Sequence, residues 1–555
     1  MNSYRFIIAS SMDKIFSNQA PEPAETLPEA FLCETVSFQV AYYLDCSGDE
    51  LSEDVLYFSV RADGNCETSI RKVCLMPGNL VCSGAHDEDY LSTQAGLYPD
   101  LLDNYLPEEG VHGIHKQWRS IWVDLTPSGN CSPGICPVTV EARNRNGSFI
   151  WSAKTELNVI GARLPEMHFI HTEMLHADCL ADYYRTEPFS PRHWKLLENY
   201  IQYAVKHGIN MAFTPLFTPP LDTAVGGERT TVQLIGVKKT GDVYSFDFTK
   251  LDKWVEMCLR CGIRYFEMAP LFTQWGAYYA PKIIADTDTG TKKIFGWDTP
   301  AGGKSYRAFL DAFLPQLRSR LVSLGILQSC RFHVSDEPGK EHMESYKAAR
   351  QCMARHLPDS FLFDACSDYA LFREGAVSHP IVSNNHLEPF LDAGVPDLWT
   401  YYCCVQGVDV SNRFFAMPSY RNRIIGVQAY LYRLQGFLHW GYNFYNTRYS
   451  KKHIDPYAIT DCGESFPAGD AFLVYPGDDD MPRGSIRLSV LAQAMNDLRA
   501  MQFLESLTSY RYVSELINRQ AGMLITFKQY PRSKEFLTRL RCCINSEIYR
   551  HLQKI

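Results

Sequence analysis

The sequence predicts a multidomain β plus α/β protein, with an N-terminal antiparallel β-sandwich followed by a (β/α)8 barrel of the TIM type. Three observations lead there. The first 160 residues read as short strands separated by turns. From about residue 161, apolar strand-like runs alternate with amphipathic helical segments. Carboxylates, amides and aromatic residues collect where those later runs end.

In the first region, Glu34–Leu44, Val55–Ala62, Lys116–Leu125, Pro137–Arg143 and Phe149–Ile160 alternate in polarity or are rich in β-branched and aromatic residues. Turn clusters such as Thr126-Pro127-Ser128-Gly129-Asn130 separate them. Several short strands with few helices suit a sandwich. No catalytic motif occurs here.

The pattern changes near Gly161–Pro165. Eight candidate parallel strands follow: His168–Glu173, Ile209–Phe217, Ile263–Phe272, Arg331–Pro338, Phe361–Asp368, Pro380–Asn385, Asp397–Cys403 and Gly436–Tyr445. Helices are expected between most of them, at Pro191–Val205, Phe248–Arg260, Ser305–Leu324, Glu341–Arg355 and Arg421–Leu434. The first opens with Ser190 as cap and Pro191 at its first position. Long loops are expected after the second and third strands. Count and order fit a barrel. The stretch after Tyr445, including Ala471–Pro476 and a helix from Ser485 to about Leu507, reads as its closing part. Residues 1–160 are thus assigned to the sandwich and 161–510 to a catalytic barrel. Residues 511–555 form a C-terminal extension packing on the barrel, a strand or loop followed by a terminal helix.

Composition narrows the function. The 555 residues carry 63 acidic against 54 basic side chains, a net charge of -9. That mild acidity, without a basic run, argues against nucleic acid or an anionic membrane as partner. No stretch is long and apolar enough for a membrane span, and the short apolar run Phe6–Ala9 is not a signal-peptide core. A cytoplasmic protein is expected. The 18 cysteines have irregular spacing, and Cys258/Cys261 lacks a second half-site, so reduced thiols are the better reading than zinc. No cofactor is indicated, and the oligomeric state is not legible. Aromatic residues make up 13% of the chain. Most must serve the core, but some suit a sugar cleft, whose ligand stacks its C–H faces on rings.

A barrel keeps its active site at the C-terminal ends of the strands. Residues there include Asp336 and Glu337 on the fourth strand, with His171, His176, Asp178, Asp222, Arg229, Gln274, Trp275, Asn384, Trp399, Tyr401, Trp440, Asn443 and Tyr445 as candidate substrate contacts. Phosphate loops and nucleophile elbows are missing from the set. Carboxylates between aromatic walls suit glycosidic cleavage, in which one acid protonates the leaving oxygen. Adjacent Asp336 and Glu337 would point to opposite faces in mid-strand, but just before Pro338-Gly339 both can reach the rim. Two like charges there would push one pKa up, as a general acid requires. The bland alternative is an exposed acidic step before a helix. A metal site at His171, His176 and Asp178 is disfavoured by the spacing. Asp222 and Arg229 could equally pair to hold their loop or clamp substrate.

Several segments, among them HFIHTEMLHADCLADYY, FTPLFTPPLDTAVGGERTTVQLI, YFEMAPLFTQWGAYYAPKI, FHVSDEPGKEH and GFLHWGYNFYN, resemble the domain of unknown function 4091. That domain is similar to glycoside hydrolase family 123, the β-N-acetylgalactosaminidases. The resemblance spans roughly residues 120–510. It implies a retaining exo-β-N-acetylhexosaminidase acting on a small oligosaccharide or glycoside by substrate-assisted catalysis. Asp336 would then orient the 2-acetamido group, and Glu337 would be the general acid/base. The residues alone leave other readings open. One is a glycosidase pairing Glu337 with Glu388, Asp368 or Glu173. Another is a non-catalytic carbohydrate-binding protein, and a third a metal-dependent hydrolase.

Overall fold

The computed structural model describes residues 3–24, 29–46 and 53–554. Two sheets face each other in the N-terminal part. One carries strands Ser3–Ser10, Val36–Asp45, Trp118–Pro127, Cys66–Gly78 and Gly96–Asn104 in that spatial order. The other carries Ala30–Phe31, Phe149–Ile160, Gly134–Asn144, Glu53–Ala62 and Val111–Ile114. Alternate residues of both turn inward. Phe38, Val40, Ile121 and Val123 from the first sheet meet Phe58, Val138, Val140 and Leu157 from the second in one apolar cluster. This is the predicted sandwich.

Eight parallel strands then close into a barrel: Ile170–Glu173, Met211–Thr214, Tyr265–Met268, Cys330–His333, Leu362–Ala365, Pro380–Ser383, Trp399–Tyr401 and Gly436–His439. The last pairs with the first, with His171 opposite Phe437 and Thr172 opposite Leu438. Seven fall inside the runs expected from sequence, and the fourth begins one residue before its run, at Cys330. Ser190 caps the helix Pro191–Lys206, accepting a hydrogen bond from the His193 amide. Long helices Thr249–Cys261, Lys304–Ser323, Met343–Ala354 and Ile486–Leu507 shield the barrel, while single turns follow the fifth and sixth strands. Cys258 and Cys261 simply end one helix, and neither is disulfide-bonded.

The sandwich also has strands the sequence reading did not single out, among them Ser3–Ser10, Cys66–Gly78 and Gly96–Asn104, and the reading differs from the structure in further places. The long loops after the second and third strands contain Gly236–Thr240, Val243–Asp247, Ile283–Thr287 and Gly290–Phe295, which form a four-stranded sheet of their own. Each pair is a hairpin too short to signal a domain, and the sheet exists only because two distant loops meet. Tyr475–Pro476 does not close the barrel. It pairs with Pro482–Ser485, which in turn pairs with Leu101 and Leu102 and so extends the first sandwich sheet. Tyr510–Ala521 is a helix rather than a strand or loop, capped by Ser509 and ended by Gly522 at φ 67°.

Buried ion pairs join sandwich to barrel. Arg487, in the first turn of Ile486–Leu507, grips Asp100 of the sandwich through Nε and Nη2 at 2.7 and 2.8 Å. Tyr475 donates to the same carboxylate at 2.7 Å. The terminal helix Lys534–Leu552 adds Arg541, bound to Glu34 of the sandwich and Asp497 of the barrel helix. Removing one partner of such a pair leaves a buried charge unpaired and costs about 3–5 kcal/mol. Arg487→Leu is therefore expected to lower stability by that order, measured as the midpoint of urea unfolding. A change within error would mean the join carries no load.

Candidate active site

The fourth strand ends at His333, and Val334-Ser335-Asp336-Glu337 climbs from it to the rim. Glu337 takes the left-handed conformation, φ 40°, immediately before Pro338. A residue preceding proline is biased toward extended backbone, so this turn is strained. It breaks the alternation that would send consecutive side chains to opposite faces. Asp336 is half-buried and Glu337 exposed. Tyr401, at the end of the seventh strand, donates its hydroxyl to Glu337 Oε1 at 2.6 Å.

Beneath the pair lies a buried polar network. His333 Nε2 is 2.7 Å from Glu267 Oε1, and Nδ1 is 2.9 Å from Asp364 Oδ1. Burial alone would lower this imidazole's pKa, but its bonds to Asp364 and Glu267 raise it to about 10. Thr172 donates to the other oxygen of Glu267. Asp364 Oδ2 also accepts from the amides of Val334 and Ser335 and from the Tyr346 hydroxyl. The ascending segment is thereby tied to its neighbouring strand. Burial, and then the charge of Glu337, pushes the Asp336 carboxyl well above the usual range, against the pull of protonated His333. Asp364 and Asp222 add to the push. Asp336 thus keeps its proton where an isolated carboxylate would be ionised.

Three further loops meet at this rim. The Trp275 amide donates to the Asp336 carbonyl at 3.0 Å, and Ser335 Oγ donates to the Thr273 carbonyl at 2.7 Å. Gln274 Oε1 accepts from the Asp222 amide at 2.6 Å. Asp222 accepts in turn from the Tyr449 amide at 2.9 Å, and the Ser450 hydroxyl donates to the Asp222 carbonyl. Burial pushes the Asp222 carboxyl up to about 6, against the Tyr449 hydrogen bond. The indole of Trp275 stands 40% exposed, with the edge of Tyr449 5.8 Å away. Half-buried Trp440 ends the eighth strand, and its indole N–H donates to Asp470 at 3.0 Å.

Of the residues nominated from sequence, Asp336, Glu337, Tyr401, Asp222, Trp275 and Trp440 gather at the mouth, and Gln274 braces it. The others sit elsewhere. His171 is sealed on the helix side of the first strand, its ring against Phe437 and Nδ1 3.2 Å from the Gly208 carbonyl. Trp399 begins its strand and fills the barrel interior beside Gly436, where a Cβ would lie 2.4 Å from the indole. Tyr445 is buried, donating to the Val474 carbonyl. Asn443 pairs both ways with the His176 backbone. Asn384 is buried against Ser411. Arg229 pairs with Asp178 rather than Asp222, at 2.6 and 2.8 Å, and also donates to His176 Nδ1 at 3.1 Å. Burial, reinforced by that guanidinium, lowers the His176 pKa to about 4. His176, Asp178 and Arg229 therefore form a latch under the second loop. Among the described residues no group of three or more His, Cys, Asp or Glu side chains could hold a metal ion.

The carboxylates considered as partners for Glu337 are also engaged elsewhere. Arg413 grips Glu173 at 2.6 and 2.9 Å. Asp368 caps a helical turn by accepting from the Ala370 amide. Glu388 lies on an exposed turn 3.6 Å from Lys528. Sequence reasoning missed His333 and Asp364 as the support of the pair. The period-two run His333, Ser335, Glu337 was the available signal for the histidine. Nothing local announced its partners.

The catalytic-domain model of glycoside hydrolase family 123 matches residues 175–504. This chain belongs to that family. It is a glycosidase, and its substrate is a carbohydrate. The structure of a family 123 glycoside hydrolase from Clostridium perfringens, described for glycolipid glycan hydrolysis, is similar over 100% of this chain and 98% of its own. Its TM-score is 0.73 at 15% identity, so the sandwich-and-barrel fold is shared. A putative β-galactosidase from Bacteroides fragilis has 9% identity and TM-score 0.31, covering 84% of this chain and 58% of that one. An endo-β-1,4-mannanase from Thermotoga petrophila has 12% identity and TM-score 0.34, over 60% of this chain and 77% of that one. Both likenesses are too distant to bear on function. No curated protein matches this chain. Among the described residues no helix is long and apolar enough to cross a membrane.

Asp470, behind Trp440, gives the family 123 site a pH signature. Burial raises its carboxyl to about 7, against the pull of Arg413. Folding therefore favours the protonated form. The stability this group contributes is full below about pH 4, the unfolded value, and is lost as pH rises through about 7. Asp470→Asn is expected to flatten the fall in melting temperature between about pH 4 and pH 7, where the unfolded chain has lost this proton and the folded chain still holds it. An unchanged slope would assign the fall to other groups.

Proposed function

We propose that this family 123 enzyme is a retaining exo-β-N-acetylhexosaminidase that uses the substrate's own 2-acetamido group as nucleophile. The observation that supports it most is the pair of consecutive carboxylates at one rim, Glu337 held by the Tyr401 hydroxyl, while Glu173, Asp368 and Glu388 are engaged elsewhere. A sugar bound above Asp336 would donate its acetamido N–H to a carboxyl oxygen of that residue, which accepts it. Glu337, as the acid, gives its proton to the glycosidic oxygen as the bond to the anomeric carbon breaks. The acetamido oxygen attacks the same carbon, forming a bicyclic oxazolinium. Glu337, now ionised, takes a proton from water, whose oxygen opens the ring with net retention. The nucleophile belongs to the substrate, so no second carboxylate need face Glu337 across the sugar. The Tyr401 hydroxyl orients Glu337 throughout.

One feature favours a second reading. Asp222, half-buried at the same rim and raised to about 6, could act as an enzyme carboxylate opposite Glu337 on a sugar lacking the acetamido group.

Purified protein assayed on 4-nitrophenyl β-glycosides, with and without a 2-acetamido group, separates the two. Substrate assistance predicts turnover only of the acetamido sugars and inhibition by a thiazoline mimic. Asp336→Asn should lower kcat by about 100- to 10,000-fold. Glu337→Gln should lose as much on glycosides with poor leaving groups, and far less on 4-nitrophenyl glycosides, which need little proton assistance. Turnover of plain glycosides, lost in Asp222→Asn, would establish the two-carboxylate route instead.

A further inference from the structure

Strained backbone concentrates at this mouth. Asp222, Trp275, Ala277, Glu337, Tyr449 and Ser450 all have positive φ, between 39° and 63°, and none is glycine. Each such residue costs free energy and persists only where its surroundings impose it. The five besides Glu337 surround one feature, the exposed indole of Trp275 set at 85° against the ring of Tyr449. Tyr449 sits at the tip of a tight loop closed by the Thr447–Lys452 backbone bond and the Asn446–His453 bridge. An apolar ring kept in water at this backbone cost is a platform for a ligand.

That platform lies outside the catalytic pair. Asp336 is the inner, half-buried member, and Glu337 and Trp275 are the outer, exposed ones. A terminal sugar reaching Asp336 would have its leaving group pass Glu337 toward Trp275, and a flat indole matches the C–H face of a pyranose.

The loop also carries charge. The guanidinium of Arg448 is 4.7 Å and the ammonium of Lys451 5.6 Å from the centre of the Tyr449 ring, with Lys452 next in the chain. All three are exposed, and none is in an ion pair among the described residues. The nearby acids are already engaged: Asp222 accepts from the Tyr449 amide, and Asp182 faces His453. In a chain of net charge -9, three exposed cations outside any close ion pair beside a sugar platform are a local reversal of sign.

We infer that the leaving-group side of the cleft is a subsite for an acidic sugar, stacked on Trp275 and Tyr449 with its carboxylate or sulfate ester held by Arg448, Lys451 and Lys452. The inference rests on the hexosaminidase reading and adds the class of leaving group to it.

Three disaccharides of one linkage test it, each with the same terminal 2-acetamido-2-deoxy-β-hexose. One is joined to a neutral hexose, one to a hexuronate and one to a sulfated hexose, and the matching glycosyl fluoride has no sugar leaving group. At low salt, kcat/KM is expected to favour an acidic disaccharide over the neutral one by about tenfold. That ratio should fall toward one at high salt and in the triple variant Arg448→Gln, Lys451→Gln, Lys452→Gln. Whichever acid is preferred identifies uronate or sulfate as the natural group. Trp275→Ala should lower kcat/KM for the disaccharides about tenfold more than for the fluoride. Equal rates for neutral and acidic disaccharides, or a preference that survives in the triple variant, would overturn the inference while leaving the hexosaminidase intact. Failure to turn over even the fluoride would sink the hexosaminidase reading, and this inference with it.

Discussion

A protonated imidazole, His333, lies between Glu267 and Asp364 near the top of the barrel, almost wholly out of contact with water. An isolated buried cation would be prohibitively costly, and two flanking carboxylates make it tolerable. In return it fixes much around it. It orients Glu267 and Asp364, and Asp364 takes the amides that lead the chain up to Asp336. Its positive charge also opposes the forces that drive a proton onto Asp336. Asp336 is thus balanced between an imidazolium below and the charge of Glu337 beside it.

Around that balance the rim is built under strain. The turn at Glu337 brings consecutive carboxylates to one side, which a regular strand cannot do. The Trp275 amide closes on the Asp336 carbonyl, and Asp222 ties the second loop to the Tyr449 loop. Such strain survives because the layers beneath are stiff. The latch of Arg229, Asp178 and His176 and the buried Glu173–Arg413 pair hold the loop bases from beneath, with the His176 ring reaching the Trp440 carbonyl. Many of the polar residues that look like substrate contacts in a list of strand ends are in this supporting layer.

The sandwich belongs to the same support. Pro482–Ser485 enters its sheet before the last barrel helix begins, and Arg487 then locks that helix to Asp100. The segment between the eighth strand and that helix, which carries Tyr449 and Asp470, is therefore anchored at both ends. A rim loop so anchored can hold an exposed platform in one geometry.

The sequence by itself determined the sandwich, the eight strands, the capped helices and the rim position of Asp336 and Glu337. These follow from period-two and helical patterning, from Ser190 as a cap, and from the Pro338-Gly339 stop, all local signals. Tertiary structure alone decided which polar residues serve the site. His171 and Trp399 lie on runs that end at the mouth, yet one faces the helices and the other the barrel interior, because side-chain direction depends on register against Phe437 and Gly436. Arg229 chose Asp178 over the nearer-in-sequence Asp222 because the second loop folds back over the first helix. His333 gained its charge from Glu267 and Asp364, one from each neighbouring strand and far from it in the chain. Charge pairing and burial are set by distances in space, and no spacing along the chain encodes them.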